Sequence, residues 1–375
     1  MDYDLSATES ELVEKIKMLV ADKNLPEPET LEKAGPGQIA PVLRAWLARL
    51  GDAGYLAEQA GPGRLAAQTE LARRSSWIAL AADIGARLLC DLISRHGSPE
   101  QKMFIDPILQ GKSIAAVAAS EPLSGSVPKT LETQARKDGP GFLLSGSKST
   151  VSLAPMADVI GVLGRIGERT ALFLIDGTQA GVEFGERLDT LGYKELCTCP
   201  LELRDVRLEP ERVVGPFDPS EVDLLQELRA SWDRALTGVA CGTMRLCLDQ
   251  ARASADVKRT HAKPPAGYQS VRFALAEMLT LSQTAELLAL RAAWAAATGD
   301  RGAASLALCA KVFATENAGK LADKALQIMA AAGYSQPNPV ERAFRNAHLG
   351  TIMGNTSQVA RMDIADDVLQ KVGEA

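Results

Sequence analysis

Residues 111–126 read GKSIAAVAASEPLSGS, and the change of pattern across them decides the fold. Gly111 closes a region of helical character, Ile114–Ala119 is a short apolar run, and Glu121-Pro122 with Gly125 marks a turn. Upstream the apolar residues recur at helical spacing. Ser6-Ala7-Thr8-Glu9 and Thr8-Glu9-Ser10-Glu11 both fit a capping box, and Leu12, Ile16, Leu19 and Val20 follow. Gly35-Pro36-Gly37 precedes a second helix through Val42, Leu43, Trp46, Leu47 and Leu50. Leu65 to His96 is rich in Ala and Leu without Pro, which predicts one long buried helix stopped by Gly97. Ser98-Pro99-Glu100-Gln101 restarts a helix, with Ser as cap, Pro in the first turn and acid at the positive dipole end.

Downstream the character is different. Ile114–Ala119, Phe142–Leu144, Val159–Leu163, Ala171–Ile175 and Leu201–Leu203 read as short strands separated by Gly, Pro, Asp and Ser. No helix intervenes, so the spacing predicts an antiparallel β domain rather than βαβ units. Past Gly215-Pro216 the chain reads as helices over roughly 219–257, 268–298 and 301–332, a shorter one near 339–347, and a last from Ser357. Such helices bury their apolar faces only against each other, which predicts a bundle. The expected class is α+β, with a helical domain over 1–110, a β domain over 111–215 and a four-helix bundle over 216–375.

Composition narrows the function classes. The 375 residues carry 41 Lys+Arg against 47 Asp+Glu, a net charge of −6, which leaves no basic stripe for nucleic acid. Hydrophobic residues at 46% and charged residues at 23% suit a globular chain. No apolar run approaches the roughly 18–20 residues of a membrane span, and the start MDYDLSATESELVEK is too acidic for a signal or transit peptide. Cys90, Cys197, Cys199, Cys241, Cys247 and Cys309 form no CxxC pair, and three histidines make a zinc site a poor expectation. These features together predict a reduced, cytoplasmic protein with no membrane partner.

The motifs are more specific. Ser98-Pro99-Glu100-Gln101-Lys102 with Pro107–Lys112, then Ser120-Glu121-Pro122-Leu123-Ser124-Gly125-Ser126 and Leu144–Ser152, resemble the acyl-CoA dehydrogenase family. Gln327–Tyr334, Pro339-Val340-Glu341-Arg342 and Gly354-Asn355-Thr356-Ser357-Gln358 follow in that family's order and spacing. The resemblance spans nearly the whole chain. It implies an FAD enzyme oxidising an acyl-CoA thioester at Cα–Cβ: a carboxylate takes the α proton while the β hydride passes to the flavin. A thioester Cα–H is a weak acid until its carbonyl is hydrogen-bonded, so a positioned donor and a base are both required.

Residue by residue, the resemblance places Ser120 and Ser152 against the flavin ring and Ser126 beside the pantetheine of CoA. The competing reading is that all three satisfy turns. Thr150 stands where an aromatic usually shields the flavin, implying a larger pocket, and Lys148 reads as a solvated lysine. Lys258 falls at an arginine that reaches the partner subunit's FAD pyrophosphate, with Gln269 eleven residues on; lysine keeps the charge but loses the bidentate fork. His261 and Ala262 replace an aromatic and a glycine, and Ala330-Ala331 replaces Gly-Gly, so with Lys258 the altered positions cluster on the contribution made in trans; Gln327 and Ala331 are also expected to contact cofactor. Thr356 and Gln358 match contacts to the chain's own FAD.

The base itself is missing. The family reads Glu-Gly where this chain reads Gly354-Asn355. A second family location, counted back from Leu248-Asp249-Gln250-Ala251, falls on Trp232, and Asp233 beside it is the remaining candidate; alternatively Asp233 is a structural carboxylate paired with Arg229 or Arg234. Three readings stay open: the base-less subunit of a heteromeric acyl-CoA dehydrogenase acting on a bulky acyl-CoA, passing electrons to an electron-transfer flavoprotein; a self-sufficient flavoenzyme using Asp233 or other chemistry; and a flavin-free acyl-CoA-binding scaffold.

Overall fold

Ser6 caps the first helix as its sequence dictates: its hydroxyl accepts from the Glu9 amide at 3.3 Å, and the Glu9 carboxylate accepts from the Ser6 amide at 2.9 Å. The computed structural model describes residues 5–26, 31–122, 131–257 and 263–373, with side chains described to 369. The helices before the sheet are α1 (Ala7–Val20), α2 (Pro36–Asp52), α3 (Pro62–Arg74), α4 (Ser76–Asp83), α5 (Cys90–His96) and α6 (Ile105–Leu109). The single helix expected over Leu65–His96 is therefore divided. Ser75 is extended at φ −153° between α3 and α4, and Ile84–Leu89 is a π-helical turn between α4 and α5. Serine favours such exits because its hydroxyl competes for backbone groups.

Among the described residues the strands that follow are β1 (Ala115–Ala118), β2 (Gln134–Asp138), β3 (Gly141–Val151), β4 (Val159–Ile166), β5 (Arg169–Ile175), β6 (Val182–Phe184), β7 (Cys199–Leu208) and β8 (Val213–Phe217). After them come α7 (Leu224–Asp256), α8 (Gln269–Ala297), α9 (Ala303–Met329), α10 (Ala331–Tyr334), α11 (Pro339–Gly350) and α12 (Ser357–Gly373).

The chain forms two compact units. A sheet unit comprises Lys23–Ala57 and Ala81–Ser231; a helical unit comprises the chain to Asp22, Glu58–Leu80 and the chain from Trp232 onward. The N-terminal helices are shared between them, α1 and α3 in the helical unit and α2, α5 and α6 in the sheet unit.

In the sheet unit the strand order is β6-β7-β3-β2-β4-β5-β8, with β1 also on β4. Most pairs are antiparallel, but β1 runs parallel to β4 and β2 meets β4 in parallel at Gln134–Arg165. The expected antiparallel β domain without βαβ units thus carries two parallel contacts that the sequence does not suggest. Parallel neighbours need a long crossover, and the β2–β3 hairpin supplies it where a helix usually would. Val162, Leu163, Leu172, Phe173 and Leu174 are fully buried in the central β4–β5 pair. Gly161 on β4 admits Leu89: a Cβ there would lie 2.4 Å from the leucine Cδ1.

In the helical unit the core is built of small residues. Ala251, Ala285, Ala289, Ala314, Ala318 and Ala322 let α7, α8 and α9 approach closely, and Met244, Met278, Leu321 and Ile328 fill between them. By length and composition α8 alone among the described helices could cross a membrane, yet Met278, Ala285, Ala289 and Ala292 give it a stripe buried in this bundle core.

Candidate functional site

The sheet unit fixes Ser120 and Ser152 to the two ends of one stretch of β3. The Ala119 carbonyl accepts from Lys148 Nζ at 3.1 Å, and the Ser120 carbonyl accepts from the Ser149 amide at 2.9 Å and the Ser149 hydroxyl at 3.3 Å. The Ser120 residue itself is exposed. Ser152 follows the Val151–Cys199 register, and its Oγ lies 3.0 Å from Thr198 Oγ1.

Lys148 is not the solvated lysine its Gly-Ser-Lys-Ser-Thr surroundings suggest. It is fully buried, and Nζ donates to Glu121 Oε1 at 2.7 Å. Glu121 in turn accepts from the Glu132 amide at 2.7 Å and the Thr133 amide at 2.9 Å. The strand pleat turns Lys148 inward, and its counter-charge comes from a residue 27 positions earlier. Burial pushes the ammonium down to about 8 although Glu121 opposes this. Burial works against Glu121 too, but the bonds from Lys148, Thr133 and Glu132 outweigh it and hold the carboxyl below its usual range.

Backbone strain gathers beside Ser152. Leu153 stands at φ +67°, Tyr193 at +51° and Cys197 at +46°, and the Leu153 amide donates to the Leu196 carbonyl at 2.7 Å. Each costs about 1–3 kcal/mol for a side-chain-bearing residue, and such strain concentrates at functional sites. Nothing in the sequence announces it, because leucine is not a turn former. The neighbouring thiols are not nucleophiles at neutral pH: burial pushes Cys199 up to about 11 and also raises Cys197.

In the helical unit, Asp233 is 2% exposed in the third turn of α7. Its Oδ1 accepts from the Asn355 amide at 3.0 Å and its Oδ2 from Asn355 Nδ2 at 2.6 Å. The partner is thus Asn355 rather than the arginines expected from sequence. Burial raises the carboxyl, with the two Asn355 bonds and the charges of Lys311 and Arg234 pulling the other way. Lys311, buried on α9, donates to the Asn355 carbonyl. Gly354 sits at φ +70°, and a Cβ there would lie 2.4 Å from Asp233 Oδ1 and 3.1 Å from Trp232 Cβ. Position 354 is therefore closed to any side chain while Asp233 keeps its place. Gly354→Ala is expected to cost about 1–3 kcal/mol. Urea unfolding would measure it, and an unchanged midpoint would contradict the packing.

Past this turn, the Thr356 hydroxyl accepts from the Val359 amide at 3.2 Å and so caps α12; Gln358 is exposed in its first turn. Gln269 begins α8, Gln327 lies near the end of α9 and Ala331 begins α10, all exposed. Ala330 takes φ +55°, ψ −135°, a conformation that favours the glycine the family resemblance implies there. Ser126, Lys258, His261 and Ala262 lie outside the described residues.

Comparison with known proteins adds the following. Family models for the acyl-CoA dehydrogenase middle domain and C-terminal domain match residues 116–206 and 225–369. The caffeyl-CoA reductase-Etf complex subunit CarC of Acetobacterium woodii is 30% identical over 284 residues, covering 73% of this chain and 74% of that protein. Benzylmalonyl-CoA dehydrogenase of Aromatoleum aromaticum is 27% identical over 383 residues, covering 98% and 100%. The structure of butyryl-CoA dehydrogenase from Megasphaera elsdenii matches with a TM-score of 0.88 over 98% of this chain and 100% of that one, at 21% identity.

Proposed function

The chain belongs to the acyl-CoA dehydrogenase family, and from that premise we propose that it is the base-less subunit of a heteromeric, FAD-dependent acyl-CoA dehydrogenase. One observation carries the reading. At position 354 there is no carboxylate and no room for one, and both oxygens of the nearby Asp233 are taken up by Asn355. Burial raises this carboxyl, but its oxygens are engaged and shut off from solvent, so it is not placed to take a proton from a bound thioester.

The residues suit FAD. In the helical unit, the first turn of α12 offers amide N–H groups and the positive end of a 17-residue helix, with Thr356 and Gln358 there, a setting fitted to a pyrophosphate. In the sheet unit, the Ser120 and Ser152 hydroxyls would hydrogen-bond the flavin ring. When bound, FAD supplies the hydride acceptor for oxidation at Cα–Cβ. This chain's own contribution is to bind and orient: hydroxyls and amides hold the cofactor, while the α proton falls to a glutamate on a homologous partner. Gln269, Gln327, Ala331 and Lys258 are the residues we assign to contacts with a partner's cofactor, and Ser126 to the CoA arm.

A bulky acyl group fits best. Thr150, an exposed threonine at a position where the family carries an aromatic, leaves space, and the chain is similar over its full length to a protein named for benzylmalonyl-CoA. The name of the Acetobacterium relative includes an Etf complex, and an electron-transfer flavoprotein is the acceptor we propose for a soluble, cytoplasmic complex here. The test is co-expression with homologues encoded by adjacent genes. The expected product is a mixed complex with flavin absorbance; a homo-oligomer without flavin, refractory to reconstitution, would move the reading to a cofactor-free scaffold.

A further inference from the structure

We infer that Asp233 is a positioning residue: with Lys311 it grips Asn355 and thereby sets the turn that places Thr356 and Gln358 at the start of α12. The part concerning cofactor rests on the FAD reading above. The geometry is unusually complete. Asn355 is 9% exposed, and three of its four polar groups are met by a buried charge: amide and side-chain NH2 by Asp233 on α7, main-chain carbonyl by Lys311 on α9. A neutral asparagine thus stands between a buried carboxylate and a buried ammonium and satisfies both, so neither charge is left bare in the core.

What this clamp holds is the entrance to α12. The residue before Asn355 is the left-handed Gly354, and the residue after it is the Thr356 cap, whose carbonyl also accepts from the Ala360 amide at 2.9 Å. Further along, α12 is tied to α9 by the bidentate Arg361–Glu316 pair, at 2.7 and 2.9 Å, but that pair is exposed and weak by itself. The buried grip on Asn355 is therefore the stronger determinant of where α12 begins. Asp233 reaches into the turn from a residue 122 positions earlier and occupies the space that a side chain at 354 would need.

A base and a positioning residue predict different losses for Asp233→Asn. The asparagine would face one of the Asn355 donors with a second donor and take from Lys311 the larger of its two counter-charges, leaving only Glu316. Amide hydrogen exchange at Asn355 and Val359 is then expected to speed up at least tenfold, and the dissociation constant for added FAD to rise at least tenfold. Lys311→Met, which releases the Asn355 carbonyl from the other side, is expected to act in the same direction and carries the test if Asp233→Asn does not fold. Because both residues hold one asparagine, the double variant should be no worse than about threefold beyond the poorer single. Exchange and FAD affinity within twofold of wild type in the folded variants would overturn the inference, as would faster exchange with unchanged FAD affinity for its cofactor half. If the wild-type chain takes up no FAD at all, the functional reading fails, and the exchange measurements still decide whether Asp233 holds the turn.

Discussion

Purified alone, the chain is expected to dehydrogenate acyl-CoA thioesters at least a hundredfold more slowly than the same chain mixed with a glutamate-bearing homologue. General-base catalysis is worth roughly 10²–10⁴-fold, and Gly354 and Asn355 offer no group that accepts a proton at neutral pH. Asp233 does not replace it, being 2% exposed with both oxygens engaged. Stopped-flow reduction of the flavin by acyl-CoA, with and without the partner, measures the difference directly. With FAD in excess, Asp233→Asn should leave the mixed enzyme within about threefold of its rate, since a lost base would cost far more. Rapid turnover by the homo-oligomer, abolished by Asp233→Asn, would reverse the assignment and make Asp233 the base.

Lys148→Met is expected to destabilise the sheet unit by about 3–5 kcal/mol at pH 7. Removing one member of a buried pair is costly for the other, and here it takes from the Glu121 carboxylate the ammonium that lies 2.7 Å away. Adding Glu121→Gln should recover at least half of the loss, because it removes the buried charge that the Lys148 ammonium balanced. The pH dependence carries a sign. Lys148 sits at about 8 in the fold against 10.5 in the unfolded chain, so between those values the unfolded state holds the proton more readily. Wild-type stability therefore gains from this site as pH rises from about 8 to 10.5, and the Met variant lacks that gain. Glu121, held below its usual range, adds stability above pH 4.5 that is lost as pH falls through its lowered value. A loss of unfolding free energy under about 1 kcal/mol by urea titration at pH 7 would show that the pair is dispensable.

These two sites also mark where sequence reading succeeds and where it stops. Local signals are partly legible: the Ser6 capping box is in place, but the helix expected to restart at Ser98 is a 3-10 turn over Gln101–Phe104, with α6 beginning only at Ile105, although the Ser98 amide does donate to Gln101 Oε1 at 2.8 Å. Five apolar runs became β1, β3, β4, β5 and β7, whereas β2, β6 and β8 escaped. β2 reads Gln-Ala-Arg-Lys-Asp, mostly exposed, and is a strand because β3 pairs with it rather than because of its own pattern. The motif positions could be named from resemblance, but the state of their side chains could not. A lysine between serines looks solvated until Glu121 is brought beside it, and Asp233 looks available until Asn355 closes over it. Both partners arrive through tertiary contacts, which no local window contains.

The closure of position 354 by Asp233 constrains how this chain could change. A glutamate introduced at 354 meets the Asp233 oxygen at its first side-chain carbon, so the substitution that would restore a base is blocked in the present background. The residue at 233 must change first, and that step alone loosens the turn into α12 before any catalytic gain exists to offset it. The two-step path thus runs through an intermediate worse than either end. On the heteromeric reading proposed above, dependence on a partner would then be kept by the order in which mutations must occur, as well as by the missing base.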